Sequence, residues 1–155
     1  MASNIFEVAK GKWRAYVDNV IAGSPANSRL VVCYYKAIES DALLITRTTK
    51  ANVDAQVANT EADFDNYVST ELGTVTSGVT TGEAWADAAD FTISAAGSAG
   101  GGTNNTLAKA ILFYNPDNTG ALSASIPLAY YDCVLTTNGV DLEFKIPTSG
   151  LIRTG

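Results

Sequence analysis

Few side chains in this sequence could do nucleophilic, acid–base or metal chemistry. Histidine is absent from all 155 residues, which excludes Ser-His-Asp and Cys-His nucleophile systems and His-bearing zinc sites within the chain. The only cysteines, Cys33 and Cys133, are too few for a four-cysteine metal site. We therefore expect no catalytic residue, no metal site and no cofactor, and we expect that the protein is not an enzyme.

Closely spaced carboxylates are the remaining candidates for acid–base chemistry: Asp63 with Asp65, Asp87 with Asp90, and Asp141 with Glu143. None stands in an apolar stretch that would push two pKa values apart, as acid–base catalysis requires. Two single charges interrupt apolar runs. We expect Asp132 to be partly buried and hydrogen-bonded to a turn or a neighbouring strand, and Lys109 to extend from a sheet edge towards solvent.

A flexible Gly/Ala/Ser/Asn segment at 95–105 lacks both GxxxxGK[ST] and GxGxxG, so we interpret it as a mobile loop and not as a phosphate-binding loop.

The net charge of -6 disfavours a nucleic-acid partner. That charge is uneven, because the basic residues concentrate in 1–50 whereas 51–100 contains no Lys or Arg. An acidic, solvated loop region is one explanation, and a basic anchoring side opposite an acidic outer side is the other.

The first element that the pattern predicts is an amphipathic helix over residues 1–22. Asn4 is its expected N-cap and Gly23 its C-cap. Apolar residues recur at spacings of three and four, namely Ile5, Val8, Ala9, Trp13, Tyr16, Val17, Val20 and Ile21. This stripe either packs on the domain's own sheet or forms an anchoring arm that docks on a neighbouring subunit.

Most of the remaining pattern predicts strands. They cover 29–38, whose continuous apolar run indicates burial on both faces, and also 91–93, 107–114, 126–135 and 140–146. Asn138-Gly139 predicts a hairpin between the last two, and 148–155 is expected to be a tail leaving the sheet. We predict one domain over 1–155 of a mostly β (α+β) class: a small antiparallel β-sandwich or barrel-like sheet with an N-terminal amphipathic helix.

The longest apolar runs are strand-sized, so no membrane partner is expected. The first residues also lack the features of a signal peptide, which predicts folding in a cytoplasm. In that compartment Cys33 and Cys133 are expected to be reduced core residues, although a disulfide between them stays open.

Segments spread over the chain resemble a family of small virion structural proteins of tailed bacteriophages, regarded as capsid decoration (cement) or minor head proteins. They are residues 2–11 (ASNIFEVAKG), 59–67 (NTEADFDNY), 110–117 (AILFYNPD), 126–132 (IPLAYYD), Asn138-Gly139 and 150–153 (GLIR). The chain departs from the family by its long insert at 95–105. The family has no active-site residues to transfer.

The resemblance implies a protein that binds the outer surface of an assembled capsid by contact, with the major capsid protein as partner, self-association into a trimer or another symmetric oligomer, and a virion location after assembly in the host cytoplasm. Apolar residues of the two terminal elements are the candidate interface anchors: Ile5, Trp13, Tyr16, Leu151 and Ile152. A tail-tube or head–tail connector component is the first alternative. A small glycan- or ligand-binding module using Trp85, Tyr130 and Tyr131 is the second.

Overall fold

The structure is a computed structural model that describes residues 4–147 and 149–154. The elements in chain order are β1 (Asn4–Ile5), α1 (Trp13–Ala22), β2 (Arg29–Ala37), α2 (Asp41–Leu44), α3 (Lys50–Asp54), β3 (Thr60–Glu61), β4 (Thr70–Glu71), β5 (Val75–Thr80), β6 (Glu83–Ala88), β7 (Phe91–Ala96), β8 (Thr106–Asn115), a 3-10 turn (Leu122–Ala124), β9 (Ile126–Thr136), β10 (Val140–Phe144) and β11 (Ile152–Thr154).

These strands form three antiparallel sheets. The central sheet has the order β1-β9-β8-β2-β3, with β4 also paired to β2. A second sheet consists of β10 and β7, and a third has the order β11-β6-β5. The prediction of a mostly β, antiparallel fold is therefore confirmed.

Strand β2 is buried on both faces, as its continuous apolar run predicts, and alternation along the strand separates two environments. Leu30, Val32 and Tyr34 point to one face of the central sheet, opposite Tyr114, Leu112 and Ala110 in register on β8. We call this the tyrosine face. Val31, Cys33 and Tyr35 point to the other, which we call the cysteine face.

Different elements cover the two faces. On the tyrosine face, Tyr16 of α1 stacks on Tyr114 with ring centroids 4.9 Å apart, and Phe144 of β10 packs on Tyr34 at 4.7 Å. On the cysteine face, the Phe6 ring meets Tyr130 edge-on, while α2 and α3 contribute polar contacts described below. The central sheet thus lies between two layers of very different chemistry.

The predicted N-terminal helix is wrong over its first half. Asn4 is a strand residue paired with Tyr130, and the Phe6 N–H donates to the Leu128 carbonyl, so the edge of β9 satisfies backbone groups that a helix would have used. Turns occupy residues 7–12, and α1 begins at Trp13. The helix ends at Gly23, whose left-handed conformation has a φ of 62°.

The predicted hairpin at Asn138-Gly139 is also wrong, because β9 and β10 do not pair with each other. Strand β10 pairs with β7, starting from Val140 opposite Ala96. Gly139, at a φ of 88°, donates its N–H to the Ala96 carbonyl, and a Cβ there would meet the Ala99 nitrogen at 2.5 Å. The glycine is therefore required for a turn that carries the chain from the central sheet to the second sheet.

The predicted C-terminal tail does leave the second sheet after β10, but its described part becomes a strand of the third sheet. Strand β11 pairs with β6, placing Ile152 opposite Ala86, and the Leu151 N–H donates to the Ala86 carbonyl. Backbone pairing together with burial of two large apolar side chains ties this end down. Thr148 and Gly155, which fall in the predicted tail, lie outside the described residues.

Candidate functional site

The five candidate anchors pack mainly on the chain itself. Trp13, Leu151 and Ile152 are buried in the hydrophobic core, with Ile152 0% exposed. Ile5 is half-buried beside β9, and Tyr16 is half-buried on the Tyr114 ring. Three of the five therefore offer no surface to a partner in this arrangement, and the other two offer only part of a side chain.

The charged segments do not occupy separate faces of the molecule. Basic residues of the first third form ion pairs with carboxylates of the acidic middle: Arg29 with Glu71, Lys36 with Asp63, and Lys50 with Glu61. This contradicts a division into a basic side built from 1–50 and an acidic side built from 51–100. Lys10 and Lys12 are exposed and have no carboxylate partner within the described part of the chain.

Lys109 is buried and does not extend to solvent as predicted. Its Nζ lies 3.0 Å from Asp41 Oδ1, contacts Asp132 Oδ1 and sits 4.7 Å from the centre of the Tyr130 ring. Burial lowers the pKa of Lys109, but the hydrogen bonds to Asp132 and Asp41 outweigh it, so the net pKa is raised. The amine stays protonated and is no Schiff-base nucleophile.

One part of the prediction for Asp132 is confirmed, and the other part is wrong. It bonds to the neighbouring strand β8 through Lys109, as predicted. Its side chain is nevertheless exposed, not partly buried, because Asp132 lies on the solvent side of the ion pair.

A second ionic cluster lies on the cysteine face and joins α3 and β3 to β2. Lys50 Nζ donates to Asp54 at 2.7 Å and to Glu61 at 2.6 Å. The hydroxyls of Tyr35 and Tyr67 donate to the same two carboxylates, each at 2.6 Å. Every charged group in this cluster is paired with an opposite charge or a hydrogen-bond donor. The cluster therefore stabilises the packing of α3 and β3 against β2.

Both thiols are free, and neither is activated. Burial raises the pKa of Cys33 well above its usual range, and burial raises the pKa of Cys133 to about 11. The two residues point to opposite faces of the central sheet. Cys33 lies on the cysteine face, whereas Cys133 lies near Tyr34 on the tyrosine face. The fold therefore separates them, and each remains a protonated thiol.

A cavity of about 330 Å³ lies between the tyrosine face and the second sheet. Most of its wall is apolar, with Asp132, Lys145, Ser149 and Arg153 as the charged or polar lining residues at its rim. The apolar part is formed mainly by Val32, Tyr34, Phe91, Ala110, Tyr131, Cys133, Phe144, Ile146 and Leu151. We call this space the aromatic cavity.

The three aromatics of the ligand-binding alternative do not form one platform. Tyr131 lines the aromatic cavity, whereas Tyr130 points to the cysteine face and packs on Phe6. Trp85 borders an adjoining cavity of about 320 Å³, where its Nε1 donates to Thr80 at 3.1 Å. Sequence reasoning identified Tyr131 but missed Tyr34, Phe91 and Phe144, because five separate segments build the aromatic cavity and no local motif marks it.

Among the residues that the structure describes, no three Cys, Asp or Glu side chains are grouped so as to hold a metal ion. None of the helices there combines the length and apolar character that crossing a membrane requires. Comparison of the chain with known protein families, curated proteins and solved structures finds no match.

Proposed function

We propose that this chain is a tailed-phage virion protein that binds the outer surface of the capsid and stabilises it by contact, with the major capsid protein as its partner. The proposal includes a fold in which the central sheet and the two smaller sheets pack as a small β-sandwich. It also includes self-association into a symmetric oligomer such as a trimer, since symmetry multiplies weak contacts.

One observation carries this proposal: four of the six segments that resemble the phage family, although far apart in sequence, meet in the central sheet. The first contributes β1, the segment at 59–67 contributes β3, and those at 110–117 and 126–132 contribute most of β8 and β9. Strands β1, β9 and β8 are direct neighbours. Scattered weak similarities that converge on one sheet support a common architecture better than any of them does alone.

The surface that we expect to meet the capsid is the loop before α1. Its Lys10 and Lys12 are exposed cations, whereas ion pairs engage the other basic residues of the first third. Unpaired surface cations attract an acidic partner surface at a modest desolvation cost. We therefore assign the proposed capsid contact to the exposed loop that contains Lys10 and Lys12, rather than to the whole of residues 1–22.

Co-sedimentation with purified capsid shells tests the proposal. We expect the wild-type protein to pellet with shells, and the K10E/K12E double variant to bind about tenfold more weakly. The control Lys145→Glu, which reverses an exposed charge just after β10, should bind normally. Failure of the wild-type protein to bind shells, combined with rings or tubes of the protein alone, would instead favour the tail-tube or connector alternative.

A further inference from the structure

Strand β5 forms an open edge of the third sheet. It pairs with β6 in an unbroken register, from Val75 opposite Ala88 to Thr80 opposite Glu83. No strand lies on its other side, and within the described part of the chain residues 75–80 make no backbone hydrogen bond except those to β6. Alternate residues of such a strand direct their N–H and C=O groups outward, so the edge offers unpaired donors and acceptors.

Strand β5 lacks the features that usually prevent an edge strand from pairing with another molecule, namely charges, prolines, bulges and very short length. Residues 72–82 contain no charged residue and no proline. Thr76, Val79 and Thr80 are exposed, and Val79 is 57% exposed although it is apolar. Because Val and Thr also favour extended backbone, the strand is well suited to accept a further strand along its edge.

The other edges of the described sheets do have such features. Strands β1, β3 and β4 are two residues long, and β11 has three residues, one of them charged. Strand β7 is bulged at Ala95, which has a φ of 48°, and β10 carries Asp141 and Glu143. The part of β9 beyond its pairing with β1 carries Asp132. Among the strands that the structure describes, β5 alone combines length with an uncharged and regular edge.

A second copy of β5 fits this edge. When an edge strand pairs antiparallel with its own copy, each side chain stays on its own face only if the twofold axis passes through a residue, which then lies opposite itself. Gly78 suits the axis because it has no side chain, and a Cβ there would lie 2.5 Å from Cζ2 of Trp85. Thr76 then lies opposite Thr80 of the second copy, a favourable cross-strand pair, and no like charges meet.

We propose that two copies of this chain associate through β5 about a twofold axis at Gly78. Their third sheets join into one antiparallel sheet of order β11-β6-β5-β5-β6-β11. This inference rests on the self-association that the proposed function includes, and it involves neither the capsid nor the loop with Lys10 and Lys12. Because the edge meets itself, the contact closes as a dimer, and a trimer requires a different surface.

Sedimentation equilibrium of the full chain without capsids tests the contact. We expect the wild-type protein to reach twice the 16.2 kDa of one chain. The T76K/T80K variant places lysine opposite lysine at both symmetric positions and should associate at least about tenfold more weakly. The matched T76E/T80K variant places glutamate opposite lysine and should remain a dimer.

The two variants are matched for effects within one chain. Both lose the hydrogen bond from Trp85 to Thr80. Residue 76 faces Asp87 on β6, so the lysine introduced there in T76K/T80K gains an opposite charge, whereas the glutamate in T76E/T80K does not. Weaker folding therefore cannot explain a loss of the dimer that is confined to T76K/T80K.

A second measurement uses the wild-type protein alone. Amide hydrogen exchange of residues 75–80 should slow severalfold between dilute and concentrated protein, while exchange in β2 stays the same. A monomer at millimolar chain concentration would overturn the proposal. Equal association of all three proteins, equal loss in both variants, or association without slower exchange in 75–80 would overturn it as well.

The capsid assay distinguishes this inference from the proposed function. A monomeric protein that pellets with shells would overturn the β5 contact alone. A β5 dimer that fails to pellet with shells would overturn capsid binding and leave the β5 contact supported.

Discussion

At the scale of single residues, Tyr34 and Tyr35 have opposite environments although they are neighbours on β2. Both are completely buried. The Tyr35 hydroxyl donates to Asp54 at 2.6 Å, whereas the Tyr34 hydroxyl has no partner in the described structure. Burial raises the pKa of both far above the usual range for tyrosine, so each hydroxyl keeps its proton at neutral pH.

Because of this contrast, we expect removal of the hydroxyl group to change the free energy of unfolding by different amounts at Tyr34 and Tyr35. Tyr35→Phe should lower the free energy of unfolding by about 1.5 kcal/mol, since it removes a hydrogen bond to a charged group. Tyr34→Phe should leave stability within about 0.5 kcal/mol of wild type, or raise it, because the lost hydroxyl made no bond. Urea unfolding of both variants measures the difference. Equal destabilisation would mean that the Tyr34 hydroxyl has a partner.

At the scale of elements, α1 is a structural part of the core and not a detachable arm. Trp13 and Val17 face the interior, while Ile21 on the same helix is 49% exposed. Removing residues 1–22 would therefore also remove Phe6 and β1 from the central sheet. Such a truncation should therefore not leave a folded remainder.

Trp13→Ala tests this role of α1. It should lower the free energy of unfolding by about 3–5 kcal/mol, the usual cost of truncating a buried Trp. Ile21→Ala, a truncation on the exposed side of the same helix, should cost less than about 1 kcal/mol. Chemical denaturation of the two variants provides the comparison, and similar small losses for both would indicate that α1 is a weakly attached arm after all.

Sequence reasoning correctly predicted elements whose structure depends on their own residues. It was wrong where the structure depends on which distant strand the element pairs with. The unbroken apolar run of β2 predicts burial on both faces, and both are buried. Asn138-Gly139 predicts a chain reversal, but a turn signal does not specify which strand the chain joins next. Likewise, the spacing of Ile5, Val8 and Ala9 satisfies a helix, yet the free edge of β9 offers a strand partner that no local pattern reveals. The aromatic cavity, built from distant segments, has no sequence signal at all.

At the scale of the whole molecule, ion pairs link the basic and acidic parts of the chain and make stability depend on pH. Glu39 is buried and receives two hydrogen bonds from Arg47 and one from Asn59. The hydrogen bonds from Arg47 outweigh burial and, with that from Asn59, hold the pKa of Glu39 below its ordinary value of 4.5. Hydrogen bonds from Lys109 and Lys36 similarly lower the pKa values of Asp41 and Asp63.

A carboxylate with a lowered pKa stabilises the fold above its ordinary pKa, and that stabilisation is lost as the pH falls through the folded-state value. Wild-type stability should therefore decrease below about pH 4.5. Glu39→Gln should be less stable than wild type at pH 7, and the difference should shrink on acidification. Glu143→Gln, at an exposed pair, should follow the wild-type curve. Thermal unfolding from pH 7 to pH 3 checks this, and a pH-independent gap for Glu39→Gln would contradict it.

The pairing of β1 with β9 has a consequence for biosynthesis. Asn4 pairs with Tyr130, so β1 cannot join the central sheet until the much later strand β9 has been synthesised. The third sheet likewise waits for β11, because Ala86 of β6 pairs with Ile152. Contacts of such long sequence separation slow folding. We therefore expect the edges of both sheets to close late, after the neighbouring strands β5 and β6 have paired with each other.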